Sequence, residues 1–244
     1  MIEAIQISKS FGNRKVLQKL NFSLQQGEIV AMVGQNGIGK TTLIRTLCGL
    51  HHPDSGKIRV DGDQFSQDSP SLRAKIGVVL HSTMLYPSLT CRENLAFYAS
   101  LYGIENKATR ISELLSLFKL ETRANEKVRT LSRGMQQRLS IARALVHDPR
   151  YLLMDEVFSG LDQGSLSELT SILKKQAVDG KGILFSTHEI DKVYSIAHRV
   201  IILHQGDIAF SSLVSDLSPQ TLIEKYTTFT EGASLPSQEL RVKP

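Results

Sequence analysis

The sequence predicts an α/β fold in which helices flank a mixed sheet. The first observation is the apolar run EIVAMV, residues 28–33, which is followed at once by glycines and by the helix-like segment TTLIRTLCGL. The second is the return of strand-like runs at 151–154, 182–185 and 200–203, of which the first two precede helical patterns. The third is the helical periodicity of the stretch between them, about 88–146. Together these observations indicate an α/β core that is interrupted by an inserted helical subdomain.

The N-terminal segment is predicted to form an antiparallel β part ahead of this core. Apolar residues recur with strand-like spacing from Ile2 to Ile7, and a Gly12–Asn13 turn leads to residues 16–24, which are spaced for a second strand. Residues 57–60 and 76–80 are further strand candidates.

The helical insertion is predicted to contain three helices. Thr90 and Glu93 have the spacing of a capping box, which marks the start of the first helix. A second helix is predicted at 107–117, and a third begins near Ser132. The residues that share one face of the first helix are Leu95, Tyr98, Ala99 and Tyr102.

The main domain is placed at residues 1–210 and a short C-terminal tail at 211–244. After about residue 211 the composition turns to serine, threonine, proline and glutamine. A short helix is expected near 221–226, and the last dozen residues are expected to be poorly ordered.

The composition is that of an ordinary globular protein. The chain has 244 residues, 41% of them hydrophobic and 22% charged, and its formal charge of +5 is dispersed along the sequence. It contains no apolar run long enough for a membrane span and no signal-peptide pattern at its start, so a cytosolic location is expected. Cys48 and Cys91 match neither a metal spacing nor a disulfide framework, and both are expected to be structural thiols.

The segment GQNGIGKTT, residues 34–42, matches the phosphate-loop pattern G-x-x-x-x-G-K-[ST] and lies between a predicted strand and a predicted helix. Small residues let backbone N–H groups surround a phosphate, and the helix N-terminus adds a positive field. Lys40 is expected to contact the β- and γ-phosphates, and the Thr41 hydroxyl to bind Mg²⁺. The nucleotide-binding candidates of this loop are Gly34, Asn36, Gly37, Gly39, Lys40, Thr41 and Thr42.

The segment YLLMDE, residues 151–156, supplies two acids at the end of a predicted buried parallel strand. Asp155 is expected to belong to the Mg²⁺ shell through a water molecule. Glu156 is expected to polarise the attacking water. As isolated residues they would be ordinary acids at a strand end; beside a phosphate loop, a catalytic pair is favoured.

Five segments occur in a fixed order: GQNGIGKTT, LSRGMQQR (131–138), YLLMDE, SGLD (159–162) and STHE (186–189). With them the sequence resembles the nucleotide-binding subunit of ABC transporters over roughly residues 1–210. The resemblance implies a P-loop NTPase core that hydrolyses ATP with Mg²⁺. It also implies a homodimer or heterodimer in which each ATP lies between the phosphate loop of one subunit and the LSRGMQQR segment of the other.

The resemblance also implies roles for single residues. Phe11 matches the aromatic residue that stacks on adenine; the alternative is a core aromatic at a strand edge. Ser132 and Gly134 match the residues that touch the partner subunit's γ-phosphate. Asp162 matches the loop that crosses the dimer interface. His188 matches a histidine that contacts the γ-phosphate and steadies the water, although a lone histidine at a strand end is usually structural.

The sequence departs from the family pattern at several positions. Arg133 and Met135 replace a glycine and a glutamine, and Val157 stands where proline is frequent. His81 occupies the place of a glutamine that binds Mg²⁺ in most relatives. Because imidazole binds Mg²⁺ poorly, His81 is expected to act through water or a hydrogen bond rather than as a metal ligand.

Residues 81–103 resemble the export branch of this family, including haem- and drug-exporter subunits, and lie where a cytosolic loop of a separate membrane subunit docks. The leading hypothesis is therefore a transporter ATPase on the cytoplasmic face of the membrane. A second hypothesis is an ABC ATPase that acts on ribosomes or DNA, although relatives of that kind generally carry two such domains or long insertions, and no nucleic-acid partner is expected here. A third is a binding module without hydrolysis, which conflicts with the presence of both Glu156 and His188.

Overall fold

A computed structural model describes residues 1–65 and 69–230, with the backbone alone for Thr230. Within these residues the chain forms ten strands and eight helices. The strands are β1 (Ile2–Phe11), β2 (Arg14–Leu24), β3 (Ile29–Val33), β4 (Ser55–Val60), β5 (Asp63–Gln64), β6 (Ile76–Val79), β7 (Tyr151–Asp155), β8 (Gly182–Thr187), β9 (Arg199–His204) and β10 (Asp207–Leu213). The helices are α1 (Lys40–Leu47), α2 (Pro70–Arg73), α3 (Cys91–Leu101), α4 (Lys107–Leu117), α5 (Arg133–Ala144), α6 (Gln163–Val178), α7 (Ile190–Ile196) and α8 (Pro219–Thr230).

The strands form two sheets. A four-stranded antiparallel sheet has the order β2-β1-β4-β5, and a six-stranded sheet has the order β10-β9-β3-β8-β7-β6. In the larger sheet only the edge pair β9–β10 is antiparallel; the other pairs are parallel. The predicted mixed sheet, N-terminal antiparallel part and helical insertion are thus confirmed.

Strand β3 shows how the larger sheet joins two hydrophobic cores. All five of its side chains are buried, and successive side chains point to opposite faces of the sheet. Ile29, Ala31 and Val33 pack into the core shared with the helical insertion. Val30 and Met32 pack into the core between the two sheets. This explains why EIVAMV is a continuous apolar run rather than an alternating one.

The helical insertion follows the sequence pattern closely. The capping box of α3 is confirmed, because the side chains of Thr90 and Glu93 each accept a hydrogen bond from the other residue's backbone N–H. Helix α4 has the predicted bounds, and α5 begins at Arg133 with Ser132 as its N-cap. The expected face of α3 holds only in part: Leu95 and Ala99 are buried, whereas Tyr98 is half-buried and Tyr102 is exposed.

The C-terminal region continues the sheet past the predicted boundary at residue 210. Strand β10 pairs with β9 as far as Leu213, and Leu222 of α8 is fully buried in the core that contains the insertion. The poor order predicted for the last dozen residues concerns a segment outside the described residues. In the part of the chain that is described, no helix combines the length and apolar character required to cross a membrane.

Candidate functional site

The sequence motifs meet because of the strand order of the larger sheet. The phosphate loop follows β3, the acid pair lies at the carboxyl end of β7, and β8 lies between these two strands. The three strands are parallel, with Val33 opposite Thr187 and Asp155 opposite Ser186. Their carboxyl ends therefore meet at one edge of the sheet, which is where open α/β sheets bind ligands.

Two glycines give the phosphate loop its shape. Gly39 has φ of +121°, and a Cβ at this position would lie 3.1 Å from Val16 Cγ1. A Cβ on Gly34 would lie 2.9 Å from the carbonyl oxygen of Leu203. A side chain at either position would strain the backbone or collide with a neighbouring strand, so the loop requires glycine at both.

Lys40 lies at the start of α1 with its ammonium group inside the loop. Its Nζ donates hydrogen bonds to the carbonyl oxygens of Gly34 at 2.7 Å and Gln35 at 3.1 Å, and it lies 4.0 Å from Glu156 Oε1. Only 5% of the side chain is exposed. Burial lowers the pKa of Lys40, and the negative charges of Glu156 and Asp155 partly offset this. The buried ammonium is thus held by carbonyl groups and stands close to a carboxylate.

The acid pair is held by two hydroxyl groups. Asp155 is buried and accepts hydrogen bonds from Thr41 Oγ1 and Ser186 Oγ, both at 2.6 Å. The same Ser186 Oγ accepts a hydrogen bond from the backbone N–H of Glu156 at 2.9 Å. Glu156 has φ of +51°, a left-handed conformation that is rare for a residue with a side chain. Non-glycine residues in this region cluster at functional sites, where the surrounding structure imposes the strain.

His188 lies just beyond the end of β8 and beside the second acid. Its Nδ1 is 3.6 Å from Glu156 Oε1, and 46% of its side chain is exposed. Glu156 is therefore placed between Lys40 and His188, with one carboxylate oxygen near both. The imidazole ring therefore lies beside this carboxylate and is open to solvent.

A pocket opens above the phosphate loop and reaches the end of the β1–β2 hairpin. Phe11 is 46% exposed, so it is not a core aromatic. Its ring makes an edge-to-face contact with His51, with ring centroids 5.3 Å apart. The pocket is lined by Phe11, Arg14, Val16, Asn36, Gly37, Gly39, Lys40, Thr41, Thr42 and Glu156.

Gly34 is not part of this lining, because it lies under the loop against β9, where its carbonyl group holds Lys40. His81 lies in a second cavity, which it shares with Asp155, Glu156 and Arg133. The guanidinium group of Arg133 rests against Gly160, where a Cβ would lie 2.8 Å from Nη1.

The remaining predicted residues lie at exposed helix N-termini. Ser132 is the N-cap of α5 and accepts a hydrogen bond from the Met135 N–H at 3.3 Å, and Gly134 is in the first turn. Asp162 is the N-cap of α6 and accepts hydrogen bonds from the backbone N–H and side-chain hydroxyl of Ser165. These bonds lower the pKa of Asp162. None of the three lines the phosphate-loop pocket of this subunit as far as the described residues show.

Two residues of the site were missed by sequence reasoning. Ser186 lies within the quoted STHE segment, but only the strand register places it against the acid pair. Arg14 donates from Nη2 to the Gly37 carbonyl oxygen at 2.8 Å. Its only sequence signal is its position directly after the hairpin turn.

The two cysteines lie outside the candidate site. Cys48 and Cys91 are free and buried, as predicted, and burial raises the pKa of Cys48 to about 11.

The family model described as ABC transporter matches residues 17–159, more than half of the chain. The linearmycin resistance ATP-binding protein LnrL of Bacillus subtilis is 34% identical over 89% of this chain and 70% of its own length. The Nod factor export ATP-binding protein I of Burkholderia pseudomallei is 36% identical over 91% of this chain and 72% of its own length. NatA of Bacillus subtilis, an ABC transporter ATP-binding protein, is 34% identical over 89% of this chain and 91% of its own length.

Solved structures agree with these relatives. An ATP-binding subunit of an ABC transporter superposes with a TM-score of 0.85 at 30% identity, covering 94% of this chain and 99% of the other. The dimeric cassette MJ0796, bound to ADP and phosphate in a post-hydrolysis state, superposes with a TM-score of 0.80 at 29% identity, covering 88% and 99%. The resemblance inferred from the five sequence segments is confirmed, and the chain belongs to the ABC transporter family as an ATP-binding subunit.

Proposed function

We propose that this subunit hydrolyses ATP to drive export through a separate membrane subunit. One observation carries the proposal: the phosphate-loop ammonium of Lys40, the Glu156 carboxylate and the His188 imidazole meet at the ends of three adjacent parallel strands. This arrangement can bind a chain of phosphates and hold a water molecule beside the last of them. The named relatives are ATP-binding proteins of export, resistance or transport systems, which supports a transport role over one on nucleic acid.

In the proposed reaction Lys40 exchanges its bonds to loop carbonyls for bonds to the β- and γ-phosphates. Backbone N–H groups of the loop and the N-terminus of α1 add to the positive field. Glu156 orients the attacking water and accepts its proton, and His188 binds the γ-phosphate from the other side of the same carboxylate. Phe11 stacks on the adenine base, because its exposed ring faces the same pocket.

Mg²⁺ fits the residues at the loop. Thr41 Oγ1 and Asp155 Oδ2 are 2.6 Å apart, and Mg²⁺ in nucleotide sites takes one or two hard oxygen ligands from the protein together with phosphate and water oxygens. Thr41 would bind the ion directly and Asp155 through a water. When bound, the ion neutralises charge on the phosphates. His81 shares a cavity with Asp155, and we propose that it contacts this shell through water.

The second half of each ATP site is proposed to come from a partner subunit, either a second copy or a related chain. Ser132, Gly134 and Asp162 lie at exposed helix N-termini and outside this subunit's own phosphate-loop pocket. In a head-to-tail dimer, the N-terminus of α5 would face the γ-phosphate of the other subunit. The solved relative MJ0796 is a dimer, which supports a dimeric assembly.

The membrane subunit is proposed to dock on the helical insertion, which would place this chain on the cytoplasmic face of the membrane. Tyr86 and Phe97 make an edge-to-face contact with ring centroids 5.0 Å apart, and both rings are exposed. Exposed Met84, Leu101 and Tyr102 belong to the same segment. Residues 84–102 contain one basic and one acidic residue, Arg92 and Glu93, so this surface is formally neutral. The apolar face of an amphipathic segment would complement it.

The test is ATP turnover by the purified chain and two variants. Lys40→Ala is expected to lower turnover at least about a hundredfold, because a group aimed at developing phosphate charge is lost. Glu156→Gln is expected to slow hydrolysis similarly and to accumulate an ATP-bound dimer in size-exclusion chromatography. Glu189→Gln, which changes a neighbouring acid paired with Lys192, is the matched control and should retain turnover.

A wild-type rate of ATP turnover in Lys40→Ala would contradict the proposed phosphate-binding role of Lys40. The same result in Glu156→Gln would contradict the proposed role of Glu156 in activating water. Stimulation of turnover by RNA, DNA or ribosomes, but not by a co-purifying membrane protein in vesicles, would favour the alternative class.

A further inference from the structure

Arg14 lies at the tip of the β1–β2 hairpin, directly across from Phe11. The two residues are cross-strand partners on either side of the Gly12–Asn13 turn. Side chains of directly opposed residues lie on the same face of a sheet, about 5 Å apart at Cβ. The hairpin tip therefore presents an aromatic ring and a guanidinium group side by side, and both line the phosphate-loop pocket.

The guanidinium group of Arg14 joins the hairpin to the phosphate loop. Its Nη2 donates a 2.8 Å hydrogen bond to the carbonyl oxygen of Gly37, and the side chain is exposed to the pocket. Among the described residues Arg14 has no acidic partner and no other hydrogen bond. Lys9, the other cation beside Phe11, is paired with Asp54 at 2.8 Å. At least three further donors of Arg14 thus remain for a ligand.

The position of Arg14 corresponds to the middle of a bound nucleotide. An adenosine nucleotide is extended, with the base at one end and the terminal phosphate at the other. Phe11 marks the base end of the pocket and Lys40 the β- and γ-phosphate end. Arg14 is the cross-strand partner of Phe11 and is hydrogen-bonded to the phosphate loop that precedes Lys40. Its free donors therefore lie between these two ends, where the ribose and the α-phosphate of a bound nucleotide would be. Of these two groups, the α-phosphate carries charge and matches a guanidinium group.

We propose that Arg14 binds the α-phosphate of the nucleotide while holding the Gly37 carbonyl group. This inference rests on the proposed function, since it assigns a further residue to the same ATP site. The competing possibility is that Arg14 only supports the phosphate loop. The two possibilities differ in which phosphate group changes its environment when the Arg14 side chain is removed. Loss of a direct contact affects the α-phosphate, whereas loss of support for the loop affects the β-phosphate, which the loop surrounds.

The experiment compares Arg14→Gln with wild type and with Lys15→Gln. Lys15 is the next residue on the same strand, is exposed and lies outside the pocket lining, so its variant removes the same charge without the proposed contact. ADP and AMP affinities are measured by competition against a fluorescent ADP analogue, with ligand-observed NMR for weak AMP binding. The ³¹P resonances of bound ADP are recorded for each protein.

Arg14→Gln is expected to weaken ADP and AMP binding by the same factor, about tenfold, which is typical of one charge-assisted hydrogen bond. The α-phosphorus resonance of bound ADP should move while the β-phosphorus resonance stays. Arg14→Lys should be intermediate, because it keeps the charge without the fork of donors. Lys15→Gln should match wild type.

An unchanged α-phosphorus resonance in Arg14→Gln, or a loss of ADP affinity with AMP affinity unchanged, would overturn the inference and leave Arg14 as a loop support. Equal losses in Arg14→Gln and Lys15→Gln would also overturn it, because they would reflect net charge. Wild-type protein that binds no ADP would instead contradict the proposed function, so the two failures are distinguishable.

Discussion

At the residue scale, one buried serine positions both acids of the site through direct hydrogen bonds. Ser186 is fully buried, donates to Asp155 and accepts from the backbone N–H of Glu156, so one hydroxyl group sets the positions of both acids. The left-handed backbone conformation of Glu156 depends on this hydrogen bond, because a glutamate without such support favours other backbone conformations. The geometry of the acid pair is therefore a property of β8 as much as of β7.

We predict that Ser186→Ala lowers both stability and turnover. The substitution leaves a buried carboxylate oxygen and a backbone N–H without their partner, which should cost about 1–3 kcal/mol in the free energy of unfolding. ATP turnover should fall about tenfold or more, as is common when a residue that orients a metal or catalytic group is lost. Denaturant unfolding and steady-state kinetics measure the two effects. Ser171→Ala, an exposed helical serine, should change neither; equal values for both variants would disprove the role of Ser186.

At the scale of elements, the helical insertion depends on one buried amide that links helix α3 to the segment before it. Asn94 is fully buried; its Nδ2 donates to the carbonyl oxygens of Tyr86 and Thr90, and its Oδ1 accepts from the Tyr86 N–H at 2.8 Å. The capping box at Thr90 starts the helix, whereas Asn94 fixes the loop that carries Tyr86 onto it. This loop belongs to the surface proposed for the membrane subunit.

Asn94→Leu is expected to cost about 2–3 kcal/mol in stability, because a side chain of similar size leaves the Tyr86 N–H unpaired and the Tyr86 carbonyl oxygen with the Leu89 N–H alone. The amide of Tyr86 should also exchange its hydrogen faster in native-state exchange. Asn106→Leu is the control, since Asn106 is exposed and its side chain makes no capping bond. Wild-type protection of Tyr86 in Asn94→Leu would show that the loop is held by other contacts.

At the scale of the whole molecule, the insertion meets the sheet at His147. Its Nε2 contacts the carbonyl oxygen of Ile76 in β6 at 3.3 Å, and its ring stacks on Tyr102 with centroids 3.8 Å apart. Nδ1 is buried and has no hydrogen-bond partner among the described residues. Burial lowers the pKa of His147 to about 4; the nearby Arg143 adds to the decrease, and the Ile76 carbonyl group and Asp148 oppose it. A proton on this ring would place a positive charge in the buried contact between the helical insertion and the larger sheet.

This predicts a loss of stability in mild acid. Below about pH 6.5 the unfolded chain binds a proton at His147 that the folded chain binds only near pH 4, so the free energy of unfolding decreases as the pH falls through this window. The loss attributable to this residue is at most roughly 3 kcal/mol. His147→Phe keeps the stacking and removes the titration. Unfolding curves from pH 7 to pH 4 should therefore be flatter for the variant, and parallel curves would contradict the assignment.

Much of the fold could be read from the sequence because its signals are local. The segment EIVAMV predicts a buried strand by its length and continuous apolar character, and Thr90 and Glu93 predict a helix start. The glycines of residues 34–39 predict a tight loop whose backbone conformation and close contacts exclude larger residues. The extent of β10 past residue 210 could not be predicted, because none of its side chains is fully buried and its strand conformation depends on pairing with β9.

The sequence by itself determined the residue types of the site and their order along the chain: the phosphate loop, the acid pair and the histidine, each at a strand end or helix start. Only the tertiary structure decided which of these meet. Strand order is set by packing between distant segments, and it places β8 between β3 and β7, so that Ser186 supports the acids and His188 reaches Glu156. The contact of Arg14 with Gly37 has the same origin, since it joins a hairpin tip to a loop 23 residues later through the packing of two sheets.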